Sequence, residues 1–464
     1  MATSEVGSGH AEVHRALTRG GIALVCNSAL TSILGVVYWL VAAHLMGRAD
    51  LGRGSALLSA LWTVSALAQL NYAWALPGLL PRAGNNATKV LARAYVRVVI
   101  LSVALGLSFA IIAPLITSKF NYVNALLAFT LIFALSVPLY SIFCLEDSVL
   151  ATVRRAVIIP FENSTWSVLK IMLLFALVFY HSMPKSLAIV ASWMLPLVFI
   201  ITPINIYLFR RGVPQAVGTF PENLAKNEGT WVRYDFIGYL FWLLGTLPLP
   251  FVAVIVLGPV STAAFYIPFT IVASIDVLSL NLGYQLTAEM SRTQGEFRDP
   301  TILFARRVWA AIAALSFGMI ALAPYVLDLF GAQYRSAGTT VFRVLMLGAL
   351  PRSIMFLCIA AMRARAAAAS YRLGGPIILL LQATTCILTL AISLLAMRLQ
   401  GILGMALGWT IASTVGAAIA IVTVRPPILK MLTKRNGRHR NKPQYLAGLQ
   451  RSVRGAWLRG SRPR

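Results

Sequence analysis

The sequence contains few charged residues and very few acidic ones. Only 12% of its 464 residues are Asp, Glu, Lys or Arg, and just 14 of them are acidic. Soluble domains carry about 25% charged residues, and disordered chains combine much charge with few apolar residues. Since 58% of this chain is hydrophobic, both classes are excluded. The composition predicts a protein that crosses a membrane several times.

Cysteine and histidine are scarce too, with four and five residues. The cysteines all lie in apolar stretches, and no pair of them has the spacing of a metal or redox motif. No phosphate-binding loop of the form G-x-x-x-x-G-K-[ST] occurs, so ATP hydrolysis by this chain is excluded. We therefore expect no cofactor, no metal and no catalytic residue.

Long apolar stretches fill most of the chain. About 20 mostly apolar residues cross a bilayer as a helix, so the sequence predicts an all-α polytopic membrane protein with about 12 transmembrane helices, numbered here as spans 1 to 12. Their approximate positions are 21–46, 54–80, 96–117, 122–145, 156–181, 186–209, 234–257, 260–287, 306–329, 339–361, 374–397 and 400–424.

Lysine and arginine are distributed unevenly between the loops. The connections after even-numbered spans hold 17 of them, and the connections after odd-numbered spans hold six. Loops rich in Lys and Arg stay on the cytoplasmic side of a membrane. We therefore predict a multi-pass protein of the bacterial plasma membrane with both termini in the cytoplasm and only short loops outside.

The longest internal connection, 210–233, divides the spans into two sets of six. The predicted organisation is a cytoplasmic leader at 1–20, an N-terminal lobe at 21–209, this linker, a C-terminal lobe at 234–424 and a basic tail at 425–464. The tail carries twelve Lys or Arg and no acid. Anionic membrane lipids are its expected partner. Nucleic acid is not an expected partner, because no other segment of the sequence has the features of a nucleic-acid-binding element.

Weak internal similarity supports a duplication of the six-helix unit. Asn71 precedes Arg82 by 11 residues in the first half, and Asn281 precedes Arg292 by the same spacing in the second. Repeats with an even number of helices are parallel and are related by an axis along the membrane normal. Two such lobes enclose a central cleft, as in alternating-access transporters.

Several segments resemble a known family. Leu329–Ala337 looks like the L-F-G-x-x-Y-x-x-A outer turn of polysaccharide exporters, Gly47–Gly52 resembles their loop between helices 1 and 2, and Gly258–Tyr266 resembles the start of their helix 8. These features resemble the polysaccharide-transporter branch, of the O-antigen flippase type, in the multidrug/oligosaccharidyl-lipid/polysaccharide flippase superfamily. The resemblance implies two six-helix lobes in a V shape. It also implies that a polyprenyl-pyrophosphate-linked oligosaccharide is flipped to the outer leaflet, with polysaccharide-assembly proteins as further possible partners.

Ionisable residues inside a membrane are costly and usually functional. Asp276 in span 8 and Arg352 in span 10 are at similar predicted depth. They are interpreted either as a switchable pair lining the cleft or as a fixed ion pair inside the second lobe. Lys170 in span 5 is a candidate ligand for a phosphate, with pairing to Glu162 as the alternative.

Polar residues near the ends of spans 2 and 8 complete the candidate substrate site. Asn71, Asn281 and Gln285 could bind sugar hydroxyl groups, or could form hydrogen bonds between helices. Arg53 opens span 2 on the outer side and is a further candidate for binding the cargo.

Two other functions stay open from the sequence. A cation-coupled multidrug antiporter of the same superfamily would typically carry an acid in span 1 or span 7, whereas span 7 has only Asp235 at its inner start. An enzyme acting on polyprenyl-linked glycans would need carboxylates in a sizeable loop, and the outer loops are too short for that.

Overall fold

The structure, a computed structural model, describes most of the chain. The described residues are 27, 30–70, 72–120, 126–153, 155–179, 183–216, 231–292, 299–367 and 374–424. The predicted leader at 1–20 and basic tail at 425–464 lie outside them, as do residues 217–230 of the predicted linker.

Every regular element among the described residues is a helix. The first lobe consists of α1 (Leu30–Leu45), α2 (Arg48–Ala68), α3 (Tyr72–Ala83), α4 (Ala87–Ile116), α5 (Leu126–Thr152), α6 (Ile158–Val178), α7 (Lys185–Tyr207) and α8 (Val213–Ala216). The second lobe consists of α9 (Trp231–Leu244), α10 (Leu249–Leu257), α11 (Pro259–Arg292), α12 (Asp299–Asp328), α13 (Ala332–Ala367) and α14 (Gly374–Val424).

The helices account for the predicted spans. Among the described residues, nine helical stretches are long and apolar enough to cross a membrane when α9 and α10 are counted together. One of these, α14, has non-helical backbone angles at Gln400 and Gly401 and therefore contains two spans. The shorter apolar helix α1 and the pair α2–α3 supply spans 1 and 2. The predicted all-α membrane fold is confirmed.

Two spans are interrupted within the membrane. Span 2 breaks between α2 and α3, where Leu70 has a positive φ of 46°. Span 7 breaks between α9 and α10 over residues 245–248, which end at a proline. Since proline lacks a backbone N–H, the helical ladder cannot continue unbroken there. Such breaks place polar backbone and side chains at membrane depth, where neighbouring helices must satisfy them.

The inner end of span 4 differs from the sequence prediction in a way that affects the candidate site. Span 4 was expected to end at residue 145, with Glu146 and Asp147 in a cytoplasmic connection. Helix α5 instead continues to Thr152, and Glu146 is completely buried. A hydropathy reading ends a span at the first pair of acids, whereas the folded lobe shields these acids from lipid with neighbouring helices.

The lobes contact each other on one side of the membrane. We call outer the side where α1 ends and α2 begins, and inner the opposite side, following the predicted orientation. On the outer side Gly52 of α2 lies so close to Pro259 of α11 that a Cβ atom would collide with its carbonyl oxygen. The rings of Trp39 and Tyr266 meet there with centroids 4.6 Å apart. The outer halves of the lobes are thus packed together, which leaves the space between them on the inner side.

Candidate functional site: the cleft between the lobes

A cavity of about 760 Å³ lies between the inner halves of the two lobes. Its walls come from α2, α3, α5 and α6 of the first lobe and from α9 and α11 of the second. The polar groups in these walls include Asn27, Gln69, Asp147 and Ser148. The protein therefore has a partly polar cleft that is closed on its outer side.

A second cavity of about 370 Å³ continues from the first. Trp62, Tyr140 and Val277 line both cavities, so the two form one cleft. Lys170 lies in the wall of this second part, which we call the Lys170 pocket. Since α6 starts at Ile158, Lys170 is about 18 Å along its helix, well inside the membrane.

Aromatic rings surround the ammonium group of Lys170. Its Nζ atom lies 3.8 Å from the ring centroid of Trp193, 4.3 Å from that of Trp166 and 5.6 Å from that of Tyr38. Contacts of this kind stabilise a desolvated cation by about 2 kcal/mol or more. Trp166 is placed by its indole N–H, which donates to the carbonyl of Trp193 at 2.7 Å. The rings thus hold the cation without neutralising it.

Lys170 has no acidic partner among the described residues. Only 3% of its surface is exposed, yet the ion pairs found in the described part of the chain do not include it. The alternative pairing with Glu162 is therefore not formed. A buried cation without a countercharge is a strong attractor for an anion that enters the cleft.

Hydroxyl groups and further rings complete the Lys170 pocket. The hydroxyl residues in its walls are Thr31, Ser32, Ser167, Thr270 and Ser274, and additional rings come from Trp39, Trp62 and Tyr140. The hydroxyl oxygen of Ser167 is buried without a hydrogen-bond partner. A mostly aromatic pocket with a few convergent polar groups is the usual chemistry of a small-molecule site.

Arg352 and Asp276 lie close together, as their predicted depths suggested. The Nε atom of Arg352 donates to Asp276 at 2.7 Å, and its Nη2 atom donates to the Thr246 hydroxyl at 2.8 Å. Thr246 lies in the break between α9 and α10. The guanidinium also lies 5.0 Å from the ring centroid of Trp409. All these partners belong to the second lobe, and the adjoining cavity has room for about one water molecule. This geometry favours the fixed structural pair over the switchable pair in the cleft.

The other predicted substrate contacts have different outcomes. Asn71 lies outside the described residues, and so do the side chains of Asn281 and Gln285, although α11 carries both. Arg53 is in the first turn of α2, about one third exposed, and lies 3.6 Å from Asp50. Arg53 lines neither the larger cavity nor the Lys170 pocket.

Sequence reasoning missed most of the aromatic residues around Lys170. Trp166 precedes Lys170 by one helical turn, so its position on the same face could have been found from spacing. Tyr38 and Trp193 come from α1 and α7, and only tertiary packing brings them to α6. Trp62 of α2 is also in the wall of the cleft.

Comparison with known proteins gives matches at the level of structure only. No protein-family model and no curated protein matches the sequence. An inward-facing multidrug resistance MATE family transporter of the MOP superfamily matches with a TM-score of 0.63 and 16% identity, over 90% of this chain and 100% of that chain. The lipid II flippase MurJ in an inward closed conformation matches with a TM-score of 0.63 and 11% identity, over 93% and 96%.

The fold is that of the MOP-superfamily transporters. A third similar structure, a MOP superfamily transporter from Pyrococcus furiosus, is described as having a binding pocket of reverse polarity that suggests a different function. Its TM-score is 0.54 at 13% identity, over 90% of this chain and 96% of that chain. Identities this low show the fold and not the cargo, so the polarity of the pocket in this chain has to be read from its own residues.

Proposed function

We propose that this protein flips a polyprenyl-pyrophosphate-linked oligosaccharide from the inner to the outer leaflet for cell-surface polysaccharide biosynthesis. The observation that carries the proposal is Lys170, a buried cation in the cleft with no carboxylate partner among the described residues. A pyrophosphate group is anionic and accepts charge-assisted hydrogen bonds from an ammonium group. In the low dielectric of the cleft such a contact is much stronger than at a surface.

The walls of the Lys170 pocket also suit a sugar. Trp39, Trp62 and Tyr140 present rings, and Thr270 and Ser274 present hydroxyl oxygens. A sugar ring has an apolar face that packs on an aromatic ring and hydroxyl groups that form hydrogen bonds. One pocket therefore offers groups for both the pyrophosphate and the first sugar of the cargo.

The arrangement of the lobes supports alternating access as the mechanism. The outer contacts at Gly52 and Trp39 close the cleft to the outside, while the larger cavity reaches toward the inner ends of α5 and α9. The structure thus corresponds to the state that loads cargo from the inner leaflet. Separation of the outer contacts and closure of the inner ends would release the cargo on the other side.

The predicted location and partners belong to the same proposal. We place the protein in the plasma membrane with both termini in the cytoplasm. The basic tail at 425–464 would bind anionic lipids there, and polysaccharide-assembly proteins would receive the flipped cargo. The tail lies outside the described residues, so its charge alone supports this part.

Lipid analysis of a strain that lacks the gene tests the proposed cargo. We expect polyprenyl-pyrophosphate-linked oligosaccharide to accumulate, and its sugars identify the glycan. Restoring the gene should clear the pool, whereas a Lys170→Ala copy should not. Lys185→Ala is the matched control, because Lys185 is exposed at the start of α7. A normal lipid pool in the deletion strain would contradict the proposal.

A multidrug antiporter is the second candidate, and Asp147 favours it. This carboxylate lies in the wall of the larger cavity beside aromatic residues such as Tyr140 and Trp242, a combination that suits an organic cation. Increased sensitivity of the deletion strain to cationic dyes, with no change in its lipids, would support the antiporter. A glycan-processing enzyme is disfavoured, because the similar structures are those of a transporter and a flippase.

A further inference from the structure

Three carboxylates lie together in the first lobe, toward the inner side of Lys170. Glu146 and Asp147 lie near the end of α5, and Glu162 lies near the start of α6. Glu146 is inaccessible to solvent and Glu162 is 4% exposed. The three groups interact electrostatically with one another. This carboxylate cluster is not explained by the binding of an anionic cargo.

Most oxygens of the carboxylate cluster lack hydrogen-bond donors. Both oxygens of Glu146, both of Glu162 and one of Asp147 are buried without a hydrogen-bond partner. The amide of Asn205 lies next to Glu146, and one of its N–H groups donates to the carbonyl of Ile201 at 2.8 Å. Among the described residues, no Lys, Arg or His forms an ion pair with any of the three acids. Burying ionised carboxylates in this way is strongly unfavourable unless something neutralises them.

A phenol from another helix points to the same place. The hydroxyl oxygen of Tyr95, on α4, is buried without a hydrogen-bond partner and interacts electrostatically with Glu146 and Glu162. Cys144 faces Asp147 from the same helix. Tyr95, Cys144 and Tyr140, which interacts electrostatically with Asp147, are the other titratable groups that face the cluster within the described part of the chain. Tyr95 therefore adds an unpartnered polar group that is not itself an acid.

The missing group is small and positively charged, and the acidic side chains around it are not arranged as a set of metal ligands. No three side chains of His, Cys, Asp or Glu in the described residues converge as metal ligands do. A proton needs no such convergence, because it binds to a single carboxylate oxygen. We propose that Glu146, Asp147 and Glu162 form a proton-binding cluster that couples the cleft to the proton gradient.

The cluster has an opening to the cleft. Asp147 lines the larger cavity, whereas Glu146, one residue earlier on the helix, is turned about 100° away from it. A proton from the cleft thus reaches Asp147 first. Asn163 lies within hydrogen-bonding reach of Asp147, and Glu162 is the neighbouring residue on α6. The path from the cleft to the buried glutamates therefore leads from Asp147 to its chain neighbour Glu146, and through Asn163 to its chain neighbour Glu162.

One face of α6 joins the cluster to Lys170. Glu162, Trp166 and Lys170 follow each other at four-residue spacing and are all buried. Glu162 and Lys170 are therefore about 12 Å apart along the helix, close enough for the charge of the cluster to alter how strongly Lys170 holds an anion. This coupling rests on the proposed anionic cargo, whereas proton binding by the cluster does not.

Infrared spectroscopy of the full-length protein in lipid nanodiscs tests proton binding without any cargo. Spectra recorded as the pH is varied report the carbonyl stretch of protonated carboxyl groups. The variants are Glu146→Gln, Glu162→Gln and Asp147→Asn. The control is Asp328→Asn, because Asp328 is about half exposed and lies 3.9 Å from Arg335 at the outer side.

Each cluster variant should lose one titrating band and shift the titration of the remaining cluster bands, because the three groups interact. The control should lose one band and leave the others unchanged. Cluster variants that behave like the control would overturn the proposal, as would cluster bands that do not titrate. Bands that respond to NaCl at constant pH would also overturn it and would assign the cluster to Na⁺.

Folding failure of a variant does not block the measurement. Wild-type protein carrying carbon-13 glutamate shows the glutamate bands by their isotope shift, and titrating buried glutamate bands are then expected. Their absence counts against the cluster. Neither experiment contains cargo. Failure to detect proton binding therefore does not contradict the proposed glycan cargo, and failure of the glycan proposal does not contradict proton binding by the cluster.

Discussion

The Nε atom of Arg352 lies 2.7 Å from an Oδ atom of Asp276, and both residues lie on helices of the second lobe. The same guanidinium donates to Thr246 in the break between α9 and α10. One buried cation therefore holds three parts of the lobe in register. Arg352 is surrounded by protein side chains and by a cavity that has room for about one water molecule. We therefore expect its substitution to affect the stability of the protein first.

Arg352→Ala should lower the free energy of unfolding by about 3 to 5 kcal/mol, because it leaves the Asp276 carboxylate buried without its cation. Thermal unfolding in detergent, followed by size-exclusion chromatography, measures the loss. The double variant Arg352→Met/Asp276→Leu is the control and should recover much of it, since replacing a whole buried pair by apolar residues is often neutral. Wild-type stability of Arg352→Ala with loss of export would instead place Arg352 in transport.

Lys170→Met should weaken binding of the anionic cargo without destabilising the protein. A charge-assisted hydrogen bond contributes about 1.5 to 3 kcal/mol, so apparent affinity should fall by about 10- to 100-fold. The unfolding free energy should stay within about 1 kcal/mol of wild type, because the lost cation–π contacts are offset by removal of a buried charge. Cargo binding to purified protein and thermal unfolding measure the two effects. Full affinity in Lys170→Met, with Lys185→Met as the matched control, would remove Lys170 from the site.

Trp193→Leu should weaken the site through the position of Lys170. Its ring lies 3.8 Å from Nζ, the shortest of the three cation–π distances, and a desolvated contact of this kind contributes about 2 kcal/mol. We expect a moderate rise in the apparent dissociation constant, smaller than for Lys170→Met. Trp309→Leu is the control, because Trp309 of α12 does not line the cleft. Equal effects of both substitutions would indicate a general loss of packing.

Gly52→Ala should separate the lobes on the outer side. The added Cβ atom would collide with the carbonyl oxygen of Pro259, and backbone cannot move aside as a flexible side chain does. Overpacking of this kind typically costs about 1 to 3 kcal/mol, which here opposes the inward-facing state. Spin-label distances between the outer ends of the lobes should lengthen. Gly47→Ala is the matched control, because its Cβ would have no neighbour within 4 Å, and an unchanged distance in Gly52→Ala would contradict the outer closure.

The membrane fold was predictable because its cause is local. Each span must bury its own backbone hydrogen bonds and present an apolar surface to lipid, so twenty-residue apolar runs such as those at 96–117 and 374–397 identify helices without knowledge of their neighbours. The break of α14 at Gly401, with a φ of 59°, lies within a few residues of the predicted boundary between the spans at 374–397 and 400–424, and glycine tolerates the left-handed region that this turn requires. The end of α5 was predicted wrongly, since its two acids are shielded by helices that are distant in sequence.

The candidate site could be predicted only in part. Lys170 and the Asp276–Arg352 pair were found because an ionisable residue inside a span is conspicuous in any sequence. The sequence could not decide that Arg352 is enclosed by its own lobe while Lys170 faces the space between the lobes. Both residues have the same local signature, a cation in an apolar helix. Their different roles depend on which helices pack around them. The rings of Trp193 and Tyr38 surround Lys170. Asp276 neutralises Arg352, and Thr246 accepts a hydrogen bond from it. Hydropathy and charge thus specify which segments cross the membrane, and the three-dimensional packing of distant helices specifies which buried charge meets a partner and which meets the cleft.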